Sequence, residues 1–197
     1  MLRSPGEWGA DIACGDAQSL GLPLNYGGPY IGYLCVKNAL VRKMPGRLVG
    51  QTEDADGKRA FVLTMQAREQ HIRREKATSN ICTAQGVMCL YVAIYLSLMG
   101  KEGLREVNHQ SYASAHELHR LLTADNRFVD LYPGQPFLNE FTLKYQGSEG
   151  LDNLRKRWQK RYLAGVKVEG TTDCLIIAVT EQRTAQEIVE FAKLALS

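Results

Sequence analysis

Paired cysteines are the first thing this sequence lacks. Its five cysteines (Cys14, Cys35, Cys82, Cys89 and Cys174) are odd in number and scattered, with no Cys-x-x-Cys pair. That argues against a disulfide framework or a zinc site and for a reducing compartment. Excess charge is also missing. A net charge of +3 is too small to argue for nucleic acid as the main partner. No apolar run approaches the ~20 residues of a membrane helix, and the start, Met1 to Glu7, lacks the apolar core of a signal peptide. The expectation is a soluble, cytoplasmic protein with no membrane and no nucleic-acid partner. One further absence matters below: no lysine occurs between Met1 and Val36.

The 197 residues are 45% apolar and 23% charged, ordinary for a globular chain, and allow one large domain or two small ones. Residues 10–15 read as a short buried strand, followed by a loop rich in glycine and proline from Asp16 to Pro29. Tyr30 to Val36 reads as a second strand. A hairpin is predicted between Arg47 and Gln66, with Asp54 to Gly57 as its turn and Ala60 to Met65 as its return strand. The run from Thr83 to Met99 is apolar on most faces and predicts a buried helix. Leu104 to Thr123 is amphipathic, with Val107, Ala115, Leu118, Leu121 and Leu122 as its apolar positions.

Two alternating segments follow (127–132 and 137–145), then a helix over 149–162, a strand over 175–180 and a helix over 184–196. Thr184 and Glu187 have capping-box spacing and fix where the last helix starts. Residues 96–197 thus read as a small α/β domain over an antiparallel sheet. Residues 1–95 read as the end of something larger, because two strands, a loop and a hairpin make no sheet domain.

The richest stretch chemically is Arg68 to Thr83. It sets Arg68, His71, Arg73, Arg74 and Lys76 beside Thr78, Ser79, Asn80 and Thr83. Small hydroxyl and amide side chains compete with a helical backbone for hydrogen bonds. Next to arginines they suit an oxyanion such as phosphate or carboxylate. A solvated turn and helix cap is the other reading. The loop Gln18 to Pro29 follows a strand's carboxyl end, where ligand sites of α/β proteins collect, but it matches no phosphate-loop pattern and reads as structural. His116 and His119 share a helix face without further metal ligands nearby. Arg155, Lys156, Arg157, Lys160 and Arg161 read as a solvated basic face, with acidic-partner docking as the alternative. Cys82 and Cys89 read as small packed side chains. No metal site is expected.

Four segments together carry a family resemblance: Gly9 to Ile12, Gly15 to Pro29, Met44 to Gly50, and Arg68 to Thr83. The chain resembles the glycine cleavage system P-protein, glycine dehydrogenase (decarboxylating), in its subunit 1 form. That subunit is more than twice this length, so the resemblance is to its C-terminal part. It implies an α/β fold of the pyridoxal-phosphate-dependent transferase (aspartate aminotransferase) class. Residues 1–95 would end a large domain with a mostly parallel sheet, and residues 96–197 would form the small domain.

The implied activity is glycine decarboxylation, with the cofactor ring as electron sink while CO2 leaves. The aminomethyl group then passes to the lipoyl arm of the H-protein. Gln18 falls at the position of the cofactor-anchoring lysine, and an amide nitrogen is not nucleophilic. The resemblance therefore implies no catalytic residue here and pyridoxal phosphate held covalently by the partner, glycine decarboxylase subunit 2, in a heterotetramer. Thr78, Ser79 and Asn80 would reach the cofactor phosphate across the interface. Arg68, His71, Arg73 and Arg74 would orient substrate or form interface pairs. The alternative is a purely structural segment that scaffolds the catalytic subunit or docks the H-protein. A self-sufficient transaminase would need the missing lysine.

Overall fold

The computed structural model describes residues 3–64, 70–77 and 85–197, with His71 by its backbone alone. The chain divides into two compact units, Met1–Gly100 and Lys101–Ser197.

In the first unit a short turn, Gly6–Trp8, leads into β1 (Ile12–Asp16), which pairs antiparallel with β2 (Gly32–Val36). The register sets Asp16 opposite Gly32 at the loop end and Ile12 opposite Val36 at the other. The second hairpin joins β3 (Leu48–Glu53) to β4 (Arg59–Thr64). Its turn falls on Asp54 to Gly57 as expected. The Asp54 carboxylate accepts the backbone N–H groups of Asp56 and Lys58, both at 2.9 Å, the side-chain turn aspartate is suited to make. A single helical turn, α1 (Gln70–Arg73), follows.

Helix α2 spans Gly86–Thr123, but Gly100 (φ 58°, ψ −172°) breaks its helical backbone. Glycine tolerates that conformation because it has no Cβ. In the part belonging to the first unit, Met88, Val92, Tyr95, Leu96 and Met99 are half-buried along one face.

The second unit holds most of the core. Its sheet has the order β5-β6-β8-β7, formed by β5 (Phe128–Asp130), β6 (Glu140–Tyr145), β7 (Val166–Lys167) and β8 (Cys174–Ala178), all pairs antiparallel. Alternation aims Phe141, Leu143 and Tyr145 of β6, and Leu175 and Ile177 of β8, into the core. Ala115, Leu118 and Leu122 of α2 join them. So do Leu151, Leu154 and Trp158 of α3 (Leu151–Trp158) and Ile188, Phe191, Ala192 and Ala195 of α4 (Ala185–Ala195). Thr184 caps α4: its hydroxyl accepts from Glu187 N–H while the Glu187 carboxylate accepts from Thr184 N–H.

Several expectations are corrected. The strand within 10–15 exists as β1 but is largely exposed. The helix expected to be buried over 83–99 is solvent-facing on its second apolar face, and Cys89 on it is exposed. The helix is apolar on two faces and only one is covered. Counted through the break at Gly100, Gly86–Thr123 is also long and apolar enough to cross a membrane by length and composition alone, contrary to the reading of short apolar runs. Every strand pair among the described residues is antiparallel, so the mostly parallel sheet is not among them. The two-residue β7 went unanticipated, being too short to show a pattern.

Candidate functional site

The loop after β1 is shaped by its backbone. The Asp16 carboxylate accepts the Gln18 N–H at 2.6 Å, and Ala17 N–H donates to Ile31 O at 2.9 Å across the mouth of the hairpin. Leu20 N–H then bonds to Ala17 O and Leu22 N–H to Gln18 O, each at 3.0 Å, coiling the chain into a tight turn. Ala17 and Leu22 are buried and pin it. Gly21 has φ +91°, and a Cβ there would lie 2.6 Å from the Tyr95 ring of α2. Glycine is therefore required twice over, for the left-handed backbone and for the close approach. A second turn closes with Gly28 N–H on Asn25 O at 2.8 Å and the Asn25 amide on Pro29 O at 2.7 Å.

The Gln18 side chain is half-buried and makes no hydrogen bond among the described residues. No amine reaches this loop from the nearest lysine in sequence. Lys37 sits at the opposite end of the β1–β2 hairpin, where its Nζ donates to Asp11 Oδ1 at 2.7 Å and to Gly9 O at 3.2 Å. Five paired positions run from one end to the other, four steps that span roughly 14 Å at about 3.4 Å per strand residue. Lys58 lies in the second hairpin turn near Asp56, and Lys43 and Lys76 are exposed.

Of the cationic run, Arg68 lies outside the described residues, as do Thr78, Ser79 and Asn80, and so does the His71 side chain. Arg73 and Arg74 are exposed, and Arg74 adopts a left-handed φ of 52°. A carboxylate site that sequence reading passed over lies near the start. Glu7 accepts the Ser4 backbone N–H (2.7 Å) and its hydroxyl (2.9 Å), and these bonds hold its carboxyl below the usual carboxylate range. The signal was present as Ser-x-x-Glu, the spacing of a capping box.

In the second unit His116 and His119 are each held by a neighbour. His116 Nε2 donates to the Phe137 carbonyl at 3.2 Å while its ring stacks on Phe137. His119 Nε2 donates to Asp130 Oδ1 at 2.6 Å. No group of three candidate metal ligands occurs among the described residues. The basic cluster is largely paired: Arg155 donates to Gly165 O, Arg157 to Glu149 and Arg161 to Glu190.

Residues 1–194 match the family model of the glycine cleavage system P-protein. The chain is 47% identical over 192 residues to the probable glycine dehydrogenase (decarboxylating) subunit 1 of Moorella thermoacetica, covering 95% of this chain and 43% of that one. It also matches the crystal structure of an inhibitor-bound glycine decarboxylase (P-protein). There the TM-score is 0.88 at 42% identity, over 99% of this chain and 45% of that one. A cystine C–S lyase, solved with glycine covalently linked to its pyridoxal-phosphate cofactor, matches at TM-score 0.56 and 15% identity. It covers 86% of this chain and 43% of that one, a likeness of fold. The chain thus spans less than half the length of the curated relatives it matches.

Proposed function

Because the chain belongs to the glycine cleavage system P-protein family, we propose that it is part of the non-lysine subunit of glycine decarboxylase. In this reading it works with subunit 2, in a cytoplasmic heterotetramer that decarboxylates glycine and passes the aminomethyl group to the lipoyl arm of the H-protein. The observation that carries the reading is the loop after β1, which offers a side-chain amide at Gln18 and no amine.

The residues of that loop do not fit covalent attachment of pyridoxal phosphate. The cofactor, which supplies an electron sink for decarboxylation when bound, therefore belongs on a lysine of the partner subunit. Lys37 is committed to Asp11 and Gly9 at the far end of the hairpin. What this chain contributes is non-covalent: Thr78, Ser79 and Asn80 toward the cofactor phosphate, with Arg68, His71, Arg73 and Arg74 toward a carboxylate or the interface. Hydroxyl and guanidinium groups are the donors such oxyanions take.

The test mixes the chain carrying Thr78→Ala and Ser79→Ala with the lysine-bearing subunit and measures cofactor affinity and glycine–bicarbonate exchange. A fall of at least tenfold in cofactor affinity is expected. If both quantities stay unchanged, the chain is a scaffold that touches no cofactor.

A further inference from the structure

The part of α2 in the first unit has two apolar faces, and only one is covered. Tyr95 packs on Gly21 from the inner face. On the other face Val87, Leu90, Tyr91, Ile94 and Leu98 are between 50% (Ile94) and 81% (Leu98) exposed. Their spacing of three, four, seven and eleven residues puts them on one stripe. No charged residue occurs from Gly86 to Gly100. The Ser97 hydroxyl is turned inward onto Ala93 O at 2.7 Å. A contiguous apolar stripe of this kind marks an interaction surface.

We infer that this stripe is the docking face for a polypeptide made of the part of the P-protein fold that this chain does not span. Three observations favour that occupant. The glycine decarboxylase matching at TM-score 0.88 sets the same fold within more than twice the polypeptide, since this chain covers 45% of it. Among the described apolar residues of the first unit only Ala17 and Leu22 are buried. Its described strands form two separate two-stranded sheets, and such hairpins are marginal unless more structure packs on them.

A bilayer fits less well. The helical backbone from Gly86 is broken at Gly100, so the uninterrupted stretch reaches roughly 21 Å at about 1.5 Å per residue, short of a hydrocarbon core of about 30 Å. Its inner face is also already packed on protein.

The inference rests on the family reading above, and its test needs neither cofactor nor glycine turnover, so the two can fail separately. The probe is a recombinant polypeptide covering the unspanned part of the Moorella thermoacetica relative, titrated into the chain and followed by sedimentation velocity. Vesicles of phosphatidylcholine and phosphatidylglycerol form a parallel arm. A one-to-one complex is expected, weakened at least tenfold by Leu90→Glu and by Leu98→Glu and retained by Leu90→Met. Exchange protection of β6 and β8 should be unchanged in all three variants. Four results would each overturn the inference: no complex, equal binding by the glutamate variants, self-association that the same changes abolish, or binding to the vesicles in place of the polypeptide.

Discussion

Replacing Trp158 with phenylalanine sets two terms of similar size against each other. The indole is fully buried at the centre of the second unit's core, edge-on to Phe191 (ring centroids 5.1 Å apart) and 6.3 Å from Phe128. Its Nε1–H is buried with no hydrogen-bond partner. An unsatisfied buried donor costs about 1–3 kcal/mol, and phenylalanine removes it. The smaller ring forfeits buried apolar area and leaves a residual cavity, each on the order of 1 kcal/mol. The net change for Trp158→Phe should therefore fall within about 1 kcal/mol of zero, whereas Leu154→Ala, with no donor to relieve, should cost about 2–5 kcal/mol. Native-state hydrogen exchange of β6 and β8 amides reads the opening free energy directly and avoids tryptophan fluorescence, which the substitution removes. A loss above about 3 kcal/mol for Trp158→Phe would refute the reasoning, because it would mean the indole N–H is satisfied and stabilising.

Four further outcomes are expected. Thr184→Ala should cost about 1 kcal/mol and raise exchange in the first turn of α4. Backbone and then hydroxyl hydrogen bonds from Thr184, with Arg183 nearby, hold the Glu187 carboxyl below its usual range. Its contribution is present above the ordinary carboxylate pKa and lost as pH falls through the depressed folded value; acid titration of Glu187→Gln should lack that component. Gly21→Ala combines a left-handed backbone with a clash on Tyr95 and should open the 17–22 turn by about 1–3 kcal/mol in exchange measurements. Ser111→Ala strips the Glu181 N–H of its 3.0 Å acceptor; a cost of about 1–3 kcal/mol in urea unfolding is expected, and none would mean water replaces the hydroxyl.

What could be read in advance was local. The capping box at Thr184, the Asp54 turn and the alternation of β6 each follow from residues within a few positions of one another. The exposure of α2's second face could not be read that way. Val87, Leu90 and Leu98 encode a demand for burial, but a sequence does not state what meets that demand. The sequence places His119 on one helix face with His116 and no more, because its partner, Asp130, comes from the strand after the turn, eleven positions on. The basic cluster over 155–161 read as solvated and is largely exposed, but the partners of Arg155 and Arg161, Gly165 and Glu190, are met only once the sheet and α4 are assembled. Of the candidate cofactor and carboxylate contacts, Arg73 and Arg74 alone are described with their side chains.

The turn after β1 holds its shape through the Asp16 carboxylate, the amides of Ala17, Leu20 and Leu22, and the missing Cβ of Gly21. The side chain at 18 supports none of it. The form of this loop and the reactivity it displays are therefore written in different letters. Position 18 can exchange its side chain without breaking any of the hydrogen bonds that shape the turn.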